Sequence, residues 1–443
     1  MPTDNRSLDP ATLTKFRSEF HQREANIIAM NACTRSALDE VALNRNVLAS
    51  LDWNFSHEVP AGKITSQNQA GTCWLYASLN WLRTFSMKKM NVENFELSYN
   101  YLVFWDKLEK SNRFLEGIIT HVDQPRHDRY VHFLLHEPLT DGGEWHMVAS
   151  LIEKYGAVPK SAMADTYSLA HSALMNSILV YKLREGAATL RSMHRKGGSS
   201  KALRKTKVEI LQTIYRILSI LLGEPPTTFD LTFRDKKKYH RERNLTPRKF
   251  YDKWVGVDPR DYRWLMSCPT DDMPYDKTYA VDLFHNVVEA REGVFLNVPI
   301  DVLRSTSVKI LKAKEPVLFG CDVTQRYNRK TGSMDTNLYD YELLFGTEFG
   351  MDKSTRIETL QVRLTHSMVL IGMDLVNGRP QKWKIENSWG EDVGHKGIFQ
   401  MSDRWFEEYV LCVLTHRKYL SKPMLKSFDT SPMVLPPWHP VAC

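Results

Sequence analysis

The segment that most constrains this chain is Gln67 to Leu82, which has the sequence QNQAGTCWLYASLNWL. A loop over residues 67–72 leads into a run that starts at Trp74 and is apolar on nearly every side. Such a run predicts a helix buried in a protein core, with Cys73 at its N-terminus. Unpaired backbone N–H groups and the positive end of the helix dipole favour a thiolate there, so the segment predicts a nucleophilic cysteine.

Two interpretations of Cys73 are open from this segment alone. It is either a buried structural cysteine or a nucleophile whose oxyanion is held by its own backbone N–H and by the side-chain amide of Gln67. Two residues elsewhere favour the nucleophile: His366, in LTHSMVLIGMD, as its base, and Asn387, in KIENSWGED, as the group that orients the base. Each of these is ambiguous alone, because His366 also fits a strand core and Asn387 also fits a turn.

Composition limits the class of protein. The chain has 443 residues with 42% hydrophobic and 11% aromatic content, which excludes a largely disordered protein. Its start lacks an apolar segment, and no apolar run approaches the roughly 18 residues that span a bilayer, so we expect a soluble, cytoplasmic protein with no membrane partner. The six cysteines have no paired spacing, which is typical of a reducing compartment. Neither CxxC nor HExxH occurs, so the sequence predicts no metal site and no cofactor.

Helical patterns come early in the chain and strand patterns come late, which predicts an α+β protein with a helical lobe and a mostly antiparallel β lobe. Asn377-Gly378 is a hairpin signal between two of the strands. We divide the chain into an N-terminal helical arm packed on the main body (1–50), a helical lobe with the candidate nucleophile (51–165), a basic helical insertion (166–255), a β lobe with the candidate base and orienting residue (256–425), and a C-terminal arm (426–443).

Positive charge is concentrated in the predicted insertion. Lys182 to Lys253 contains 19 Lys or Arg against 7 Asp or Glu, a local charge of +12 (19 − 7) that exceeds the +7 of the whole chain. The string FRDKKKYHRERN interleaves Phe233 and Tyr239 with these cations. The segment is interpreted as a helical insertion with a positively charged face, which is either simply solvated or binds nucleic acid.

Gly142, Gly143 and Trp389 are the remaining candidates for substrate binding. The glycine pair is either ordinary turn chemistry or a place where a substrate backbone approaches closely. Trp389 follows Asn387 by two positions and either covers the bond between His366 and Asn387 or is an ordinary core aromatic.

Longer strings carry a resemblance to a known family. QNQAGTCW, THSMVLIG and IENSWGEDVGHKG resemble the nucleophile, histidine and asparagine segments of papain-like cysteine peptidases. FELSYNYLVFWDKLEK, DGGEWHMVASLIEKYGAVPK, LGEPPTTF, TPRKFY, NLYDYELLFG and LPPWHP resemble one branch, bleomycin hydrolase and its bacterial aminopeptidase relatives. The resemblance runs from about residue 50 to the C-terminus.

This resemblance implies a papain-like two-lobe core in which Cys73 is the nucleophile, His366 the base, Asn387 its orienting residue and Gln67 the oxyanion donor. It also implies peptide substrates and a barrel-shaped homohexamer with a central channel that is often basic. In that branch the C-terminal arm lies along the cleft and makes the enzyme an aminopeptidase, which assigns substrate binding to the terminal Cys443.

Two features depart from the branch. The tail after Trp438 is shorter and ends in a thiol, and the interval from His366 to Asn387 is tighter, which we assign to the Asn377-Gly378 turn. The leading expectation is a cytoplasmic cysteine aminopeptidase of the bleomycin hydrolase type that forms a thioester acyl-enzyme. The alternatives are a nucleic-acid-binding homo-oligomer that uses the basic insertion and a papain-like endopeptidase.

Overall fold

A computed structural model describes residues 7–441, so the predicted substrate-binding residue Cys443 lies outside the described residues. The helices are α1 (Pro10–Gln22), α2 (Glu24–Cys33), α3 (Leu38–Val41), α4 (Arg45–Ala49), α5 (Cys73–Met90), α6 (Tyr99–Thr120), α7 (Arg129–His136), α8 (Trp145–Tyr155), α9 (Tyr167–Ala170), α10 (Ser172–Arg195), α11 (Ser200–Leu222), α12 (Pro247–Phe250), α13 (Ile300–Lys312), α14 (Tyr341–Phe345), α15 (Lys353–Glu358), α16 (Asp403–Tyr409) and α17 (Lys422–Ser427). The strands are β1 (His57–Glu58), β2 (Phe229–Arg234), β3 (Tyr239–Leu245), β4 (Tyr262–Met266), β5 (Thr278–Val281), β6 (Phe295–Asn297), β7 (Val317–Cys321), β8 (Tyr327–Asn328), β9 (Ser333–Met334), β10 (His366–Val376), β11 (Arg379–Glu386), β12 (Ile398–Ser402), β13 (Val410–His416) and β14 (Met433–Leu435). Apart from β1, every described strand follows the long helices, which confirms the α+β prediction.

The central helix α5 begins at Cys73, as the sequence predicts, and is buried along most of its length. It packs against α6, α8 and the strands β7 and β10. The helix ends where Asn91 adopts a left-handed conformation (φ 53°), and Lys88 and Lys89 in its last turn suit the negative end of its dipole. The next helix, α6, starts at Tyr99, where the Ser98 side chain caps it, and its apolar face continues to Ile119.

All the described strands except β2 and β3 belong to one large sheet. Its order is β14-β5-β6-β4-β13-β7-β10-β11-β12-β9-β8, and β1 pairs with β10. Most neighbours are antiparallel, while β14 with β5, β4 with β6, and β9 with β12 are parallel. The C-terminal arm therefore contributes its own strand, β14, to the edge of the sheet. The buried strand β7 lies between β13 and β10 in the middle of this order.

The hairpin of β10 and β11 turns at Asn377 and Gly378, whose φ angles are 51° and 79°. Two positive φ values are what a tight two-residue hairpin turn requires, so the hairpin predicted from Asn-Gly is confirmed. The strand pairing places Val369 opposite Glu386 at the end of the hairpin that is farthest from the turn. His366, the first residue of β10, and Asn387, which directly follows β11, consequently lie at the same end.

The insertion is helical only in part. Gly197 and Gly198 lie between α10 and α11, and Ser199 caps α11 by accepting a hydrogen bond from the Ala202 backbone N–H. The prediction of a helical insertion is wrong for the basic segment, because β2 and β3 form an antiparallel hairpin. Alternating Phe229, Leu231 and Phe233 in β2 direct apolar side chains to one face, a strand pattern that the surrounding charges conceal.

The N-terminal arm packs on the body less than predicted. Helices α1 and α2 bury no side chain completely, and Phe16 and Ile28 remain exposed. Contact with the body comes from α2 against α14 and from Ala42, which forms a small separate core with Leu338 and Tyr339. None of the helices in the described part of the chain is long and apolar enough to cross a membrane.

Candidate active site

Cys73 occupies the first turn of α5, at the point where the loop of residues 67–72 meets the sheet. The preceding residue, Thr72, makes no side-chain cap, so the first backbone N–H groups of the helix are left for other partners. The backbone N–H groups of Ser367 and Trp74 lower the pKa of the Cys73 thiol. Because Ser367 directly follows His366, the structure brings the predicted nucleophile and the predicted base together.

His366 is almost completely buried, and its ring is held by Asn387. Its Nε2 lies 2.9 Å from Asn387 Oδ1. An amide oxygen only accepts hydrogen bonds, so this contact assigns the ring proton to Nε2 and leaves Nδ1 without a proton. A neutral imidazole in this tautomer can take a proton from a thiol at Nδ1.

Gln67 is held by the residues that surround it. Its Nε2 donates to Ala70 O at 2.7 Å, and its Oε1 accepts from Ser388 Oγ at 2.7 Å. The backbone N–H of Gln67 also donates to Ser388 O at 2.8 Å. Since a side-chain amide has two N–H groups, one of them remains for a ligand, as an oxyanion donor needs.

Burial opposes the charged forms of both Cys73 and His366. Burial raises the pKa of the Cys73 thiol and outweighs the backbone N–H groups that lower it. Burial also lowers the pKa of His366 to about 4, although the hydrogen bond to Asn387 acts in the other direction. The helix terminus alone therefore does not produce the predicted thiolate, because the low-polarity surroundings favour neutral thiol and neutral imidazole. The thiolate of Cys73 therefore has to form by proton transfer from its thiol to His366.

Trp389 lies beside this pair. Its ring centroid is 4.8 Å from that of His366, and it also meets Phe399 edge-on at 5.6 Å. The residue is half-buried, so one part of the ring covers the histidine while another faces outward. Trp389 thus contacts the ring of His366 and also packs against the core, so both proposed roles, covering the bond between His366 and Asn387 and filling the core, fit its position.

The two glycines of the predicted substrate contact have different surroundings. A Cβ at Gly143 would lie 2.7 Å from the Trp74 ring and 2.9 Å from Met147 Sδ, so tight packing accounts for its missing side chain. A Cβ at Gly142 would face open space, with Thr140 Oγ1 at 3.9 Å. Only Gly142 has room for a close approach by another backbone.

Asp141 is a residue of the site whose role sequence reasoning missed, although its Gly-Gly neighbours were noted. Its carboxylate accepts hydrogen bonds from Gly71 N at 3.1 Å, Ser172 Oγ at 2.6 Å and Asn176 Nδ2 at 2.8 Å, and it pairs with the buried Lys107. Its carbonyl accepts from the indole N–H of Trp74 at 2.6 Å. The pairing with Lys107 and these hydrogen bonds hold the pKa of Asp141 well below its usual range, against the effect of burial. One carboxylate thus joins the nucleophile loop to α6 and to α10 of the insertion.

A second missed feature is the ion pair of Arg83 and Glu386, both of whose side chains are fully buried. Arg83 lies on α5, and Glu386 directly precedes Asn387. Arg83 Nη1 also donates to Lys63 O at 2.8 Å, on the segment that leads to Gln67. No local pattern in the sequence marks this pair, because its members are about 300 residues apart.

The described part of the C-terminal arm, up to Val441, packs on the main body. His439 Nε2 lies 2.9 Å from Asp272 Oδ2, and Arg129 stacks on Trp438 at 3.9 Å. Pro440 and Val441 line a small cavity together with Leu364, which stands two positions before His366. Within residues 7–441 no group of three or more His, Cys, Asp or Glu is arranged to hold a metal ion.

Comparisons with known proteins agree with this geometry. A profile of the family described as "Peptidase C1-like family" matches residues 7–442. Aminopeptidase C of Listeria monocytogenes is 38% identical over 430 residues, which covers 97% of each chain. Aminopeptidase G of Lactobacillus delbrueckii subsp. lactis is 40% identical over 431 residues, or 97% of this chain and 98% of the relative. The crystal structure of PepW from Lactobacillus rhamnosis superposes with a TM-score of 0.97 at 41% identity, over 99% of both chains.

Proposed function

The chain belongs to the Peptidase C1-like family, and on that premise we propose that it is a cytoplasmic cysteine aminopeptidase of the bleomycin hydrolase type. Its substrates are peptides with a free N-terminus, and it hydrolyses them through a thioester acyl-enzyme. The observation that carries the proposal is the convergence of Cys73, His366, Asn387 and Gln67 at the junction of α5 with β10 and β11. That Cys33, Cys73, Cys268 and Cys321 are thiols supports a reducing compartment.

In the first half of the reaction the Cys73 thiol gives its proton to His366 Nδ1, and the sulfur attacks the carbonyl carbon of the scissile bond. The oxygen of the tetrahedral intermediate then carries the negative charge, and the free N–H of Gln67 and the backbone N–H of Cys73 stabilise it. His366 gives the proton to the leaving nitrogen, the C–N bond breaks, and a thioester to Cys73 remains.

In the second half His366 takes a proton from the attacking water, whose oxygen bonds to the thioester carbon. The C–S bond breaks, and the Cys73 sulfur takes the proton back from His366. Asn387 keeps Nε2 protonated throughout, so Nδ1 remains the nitrogen that exchanges protons with sulfur and substrate. Trp389 covers this hydrogen bond and limits competition from water.

The position of the C-terminal arm supports cleavage near a free N-terminus. Val441 packs against the main core and lines a small cavity with Leu364, which stands two positions before His366 in the chain, and the resembled branch places this arm along the cleft. An arm in the cleft leaves little room for residues that precede the scissile bond, which favours substrates with one or two residues there. Deleting residues 440–443 should remove this restriction.

The experiment that tests the proposal compares aminoacyl fluorogenic substrates with a free and with an acetylated N-terminus. We expect the full-length protein to prefer the free form and the truncated protein to lose most of that preference. Cleavage inside long N-blocked peptides by the full-length protein would identify an endopeptidase instead. Equal ratios for the two proteins would show that the arm does not restrict the cleft.

We also propose that the protein forms a ring-like homo-oligomer, a hexamer by analogy with the resembled branch. Leu174, Ile178 and Tyr181 lie three to four residues apart on α10 and are 71%, 40% and 71% exposed. Such a row of apolar side chains on one helix face is typical of a surface that another subunit covers. Light scattering that reports a monomer of 51.4 kDa at micromolar concentration would contradict this proposal.

Nucleic-acid binding is a second candidate function, favoured by the β2–β3 hairpin. Its exposed residues Lys236, Lys237 and Lys238 precede Tyr239, which is 47% exposed and carries the Arg241 guanidinium 5.6 Å from its ring. Cations beside an exposed aromatic ring suit phosphate contact and base stacking.

Replacing the three lysines, Arg241 and Arg243 by Gln should weaken binding of single-stranded DNA and flatten its salt dependence. A control protein with five Gln substitutions of exposed cations near and on α11 (Arg195, Lys196, Lys201, Lys205 and Arg216) carries the same charge change. Equal binding by both variants would show that the hairpin is only a solvated face.

A further inference from the structure

A cavity of about 520 Å³ is lined by two residues, Tyr327 and Arg329, that also contact the Trp389 ring beside His366. Its lining includes Arg326, Arg329 and Arg356 together with Tyr327 and Tyr341. Tyr327 links it to the active site, because its ring centroid lies 6.1 Å from that of Trp389, which in turn is 4.8 Å from His366. The cavity therefore borders the active site through Tyr327 and Trp389, and none of Cys73, His366 and Asn387 lines it.

The reaction chemistry determines which part of a peptide reaches this cavity. His366 has to protonate the nitrogen of the departing peptide, so that nitrogen lies over the imidazole ring. The residues that follow the scissile bond then continue past His366 on the side where Trp389 and Tyr327 lie. Residues of the leaving peptide that pass the Trp389 ring come next to Tyr327 and Arg329, which contact that ring, while the acyl part of the substrate stays bonded to Cys73.

The three arginines of the cavity differ in their partners. Arg326 pairs with Glu342 at 2.6 Å, and Arg356 pairs with Glu408. Arg329 has no carboxylate partner within residues 7–441, and its guanidinium lies 4.9 Å from the Trp389 ring. Stacking on an aromatic face leaves the in-plane N–H donors of a guanidinium accessible, so Arg329 presents unused donors beside the leaving peptide.

We propose that Arg329 is a specificity-determining residue that binds a carboxylate of the leaving peptide, one or two residues after the scissile bond. The assignment rests on the proposed peptidase function and names a substrate class for it: peptides with an acidic residue there, or short peptides whose terminal carboxylate reaches that position. Both sources present the planar anion that a guanidinium fork binds by two hydrogen bonds.

The test uses four substrates with one common first residue, chosen from those that the wild-type protein cleaves. The second residue is aspartate amide, asparagine amide, alanine with a free carboxylate, or alanine amide. The first pair isolates a side-chain carboxylate, and the second pair isolates a terminal carboxylate. The variant is Arg329→Gln, and the matched control is Lys330→Gln, which removes one positive charge from the adjacent exposed position.

We expect the wild-type protein to cleave at least one carboxylate substrate about fivefold better, in kcat/KM, than its uncharged partner. Arg329→Gln should bring that ratio close to one while changing kcat/KM for the uncharged substrates less than about twofold. Lys330→Gln should keep the wild-type ratio, and added salt should reduce it, because the contact is exposed.

Three outcomes would overturn the assignment. A wild-type ratio near one for both pairs would show that no carboxylate is recognised. An equal loss on all four substrates in Arg329→Gln would show that Arg329 only supports Trp389. A loss of the ratio in Lys330→Gln as well would reduce the effect to general surface charge. If the wild-type protein cleaves no peptide at all, the proposed function itself fails, which is distinguishable from cleavage without preference.

Discussion

His366 and Asn387 are positioned by strand pairing in a sheet, whereas Gln67 and Cys73 lie on a loop and a helix start that rely on side-chain hydrogen bonds in addition to the backbone bond from Gln67 to Ser388. On the strand side, which comprises β7, β10 and β11, His366 pairs with Cys321 and the two hairpin strands pair along most of their length. On the loop side, which comprises residues 67–73, Asp141 and Ser388 supply side-chain contacts, and Arg83 holds Lys63 on the segment that leads to the loop. Backbone pairing does not depend on side-chain identity. A single substitution should therefore displace the catalytic residues of the loop side more than those of the strand side.

Removing the nucleophile defines the largest effect, because it changes chemistry while leaving both sides in place. We expect Cys73→Ser to lower kcat/KM at least about a thousandfold, since a hydroxyl is a far weaker nucleophile than a thiolate at neutral pH. Cys33→Ser, on α2, is the matched control and should keep full activity. Peptidase activity that survives in Cys73→Ser would refute the assignment of the nucleophile.

The ion pair of Arg83 and Glu386 connects the loop side to the strand side, so breaking it should weaken the contact between them. Arg83→Met leaves Glu386 buried without its partner, and we expect it to lower the free energy of unfolding by about 3–5 kcal/mol. The double variant with Glu386→Met removes both charges and should recover most of that loss. Urea denaturation of the three proteins measures the effect, and a double variant as unstable as the single one would mean that packing, not charge, is lost.

The buried imidazole of the strand side makes stability depend on pH. Burial lowers the pKa of His366 to about 4 from 6.5, so the unfolded chain binds more protons between these values. The stability that depends on a neutral His366 is fully present above about pH 6.5 and is lost as the pH falls toward about 4. Over this range the free energy of unfolding decreases by on the order of 3 kcal/mol.

Denaturation of wild type and His366→Gln at several pH values in this window isolates the contribution. Glu386 acts in the opposite direction, because burial raises its pKa to about 7, but it is common to both proteins and cancels in the difference. We expect the stability of His366→Gln to fall less on acidification. Parallel curves would show that His366 is as easily protonated in the folded protein as in the unfolded chain.

Asp141→Asn tests the comparison between the two sides most directly. We expect it to lower kcat by about tenfold to a hundredfold, because the buried Lys107 loses its counterion and one of the two carboxylate oxygens is replaced by an N–H₂ donor that faces other donors. The matched control is Asp322→Asn, since Asp322 is also buried and accepts from Arg363 N at 3.2 Å and Thr365 Oγ1 at 3.0 Å.

Asp322 supports the segment before His366, whose position the sheet already determines, so its variant should lose less activity. Equal loss of kcat in the two variants at equal thermal stability would abolish the distinction between the loop side and the strand side. A change in KM alone would indicate a substrate contact at Asp141 and not a positioning role.

The features that sequence reasoning predicted correctly have local signals. Cys73 stands where a loop meets an apolar run, and Asn377-Gly378 specifies a two-residue turn between alternating strands. The β2–β3 hairpin was missed because Lys236, Lys237 and Lys238 dominate the string, although Asp235 organises the turn by accepting from Lys237 and Lys238 backbone N–H groups.

The features that sequence reasoning did not predict depend on contacts between distant segments. Asp141 joins α5, α6 and α10 only after these helices have packed, and Arg83 meets Glu386 across the interface of the lobes. The direction of the Cys73 pKa shift has the same origin, since burial is a property of the assembled core and the helix terminus is local. Sequence patterns located the reacting groups but not the interactions that fix their positions and shift their pKa values.

The β10–β11 hairpin also offers a point of attachment that the chemistry does not touch. Its tip lies 11 strand residues from His366, roughly 30 Å at the usual rise of a strand. Val376 is 49% exposed there and offers the attachment position, whereas Gly378 has to stay glycine because its φ is 79°. A fluorophore, an affinity tag or a surface tether joined at this tip would leave the strand pairing that aligns His366 with Asn387 unchanged. The protein can therefore be immobilised or labelled through the tip of the β10–β11 hairpin.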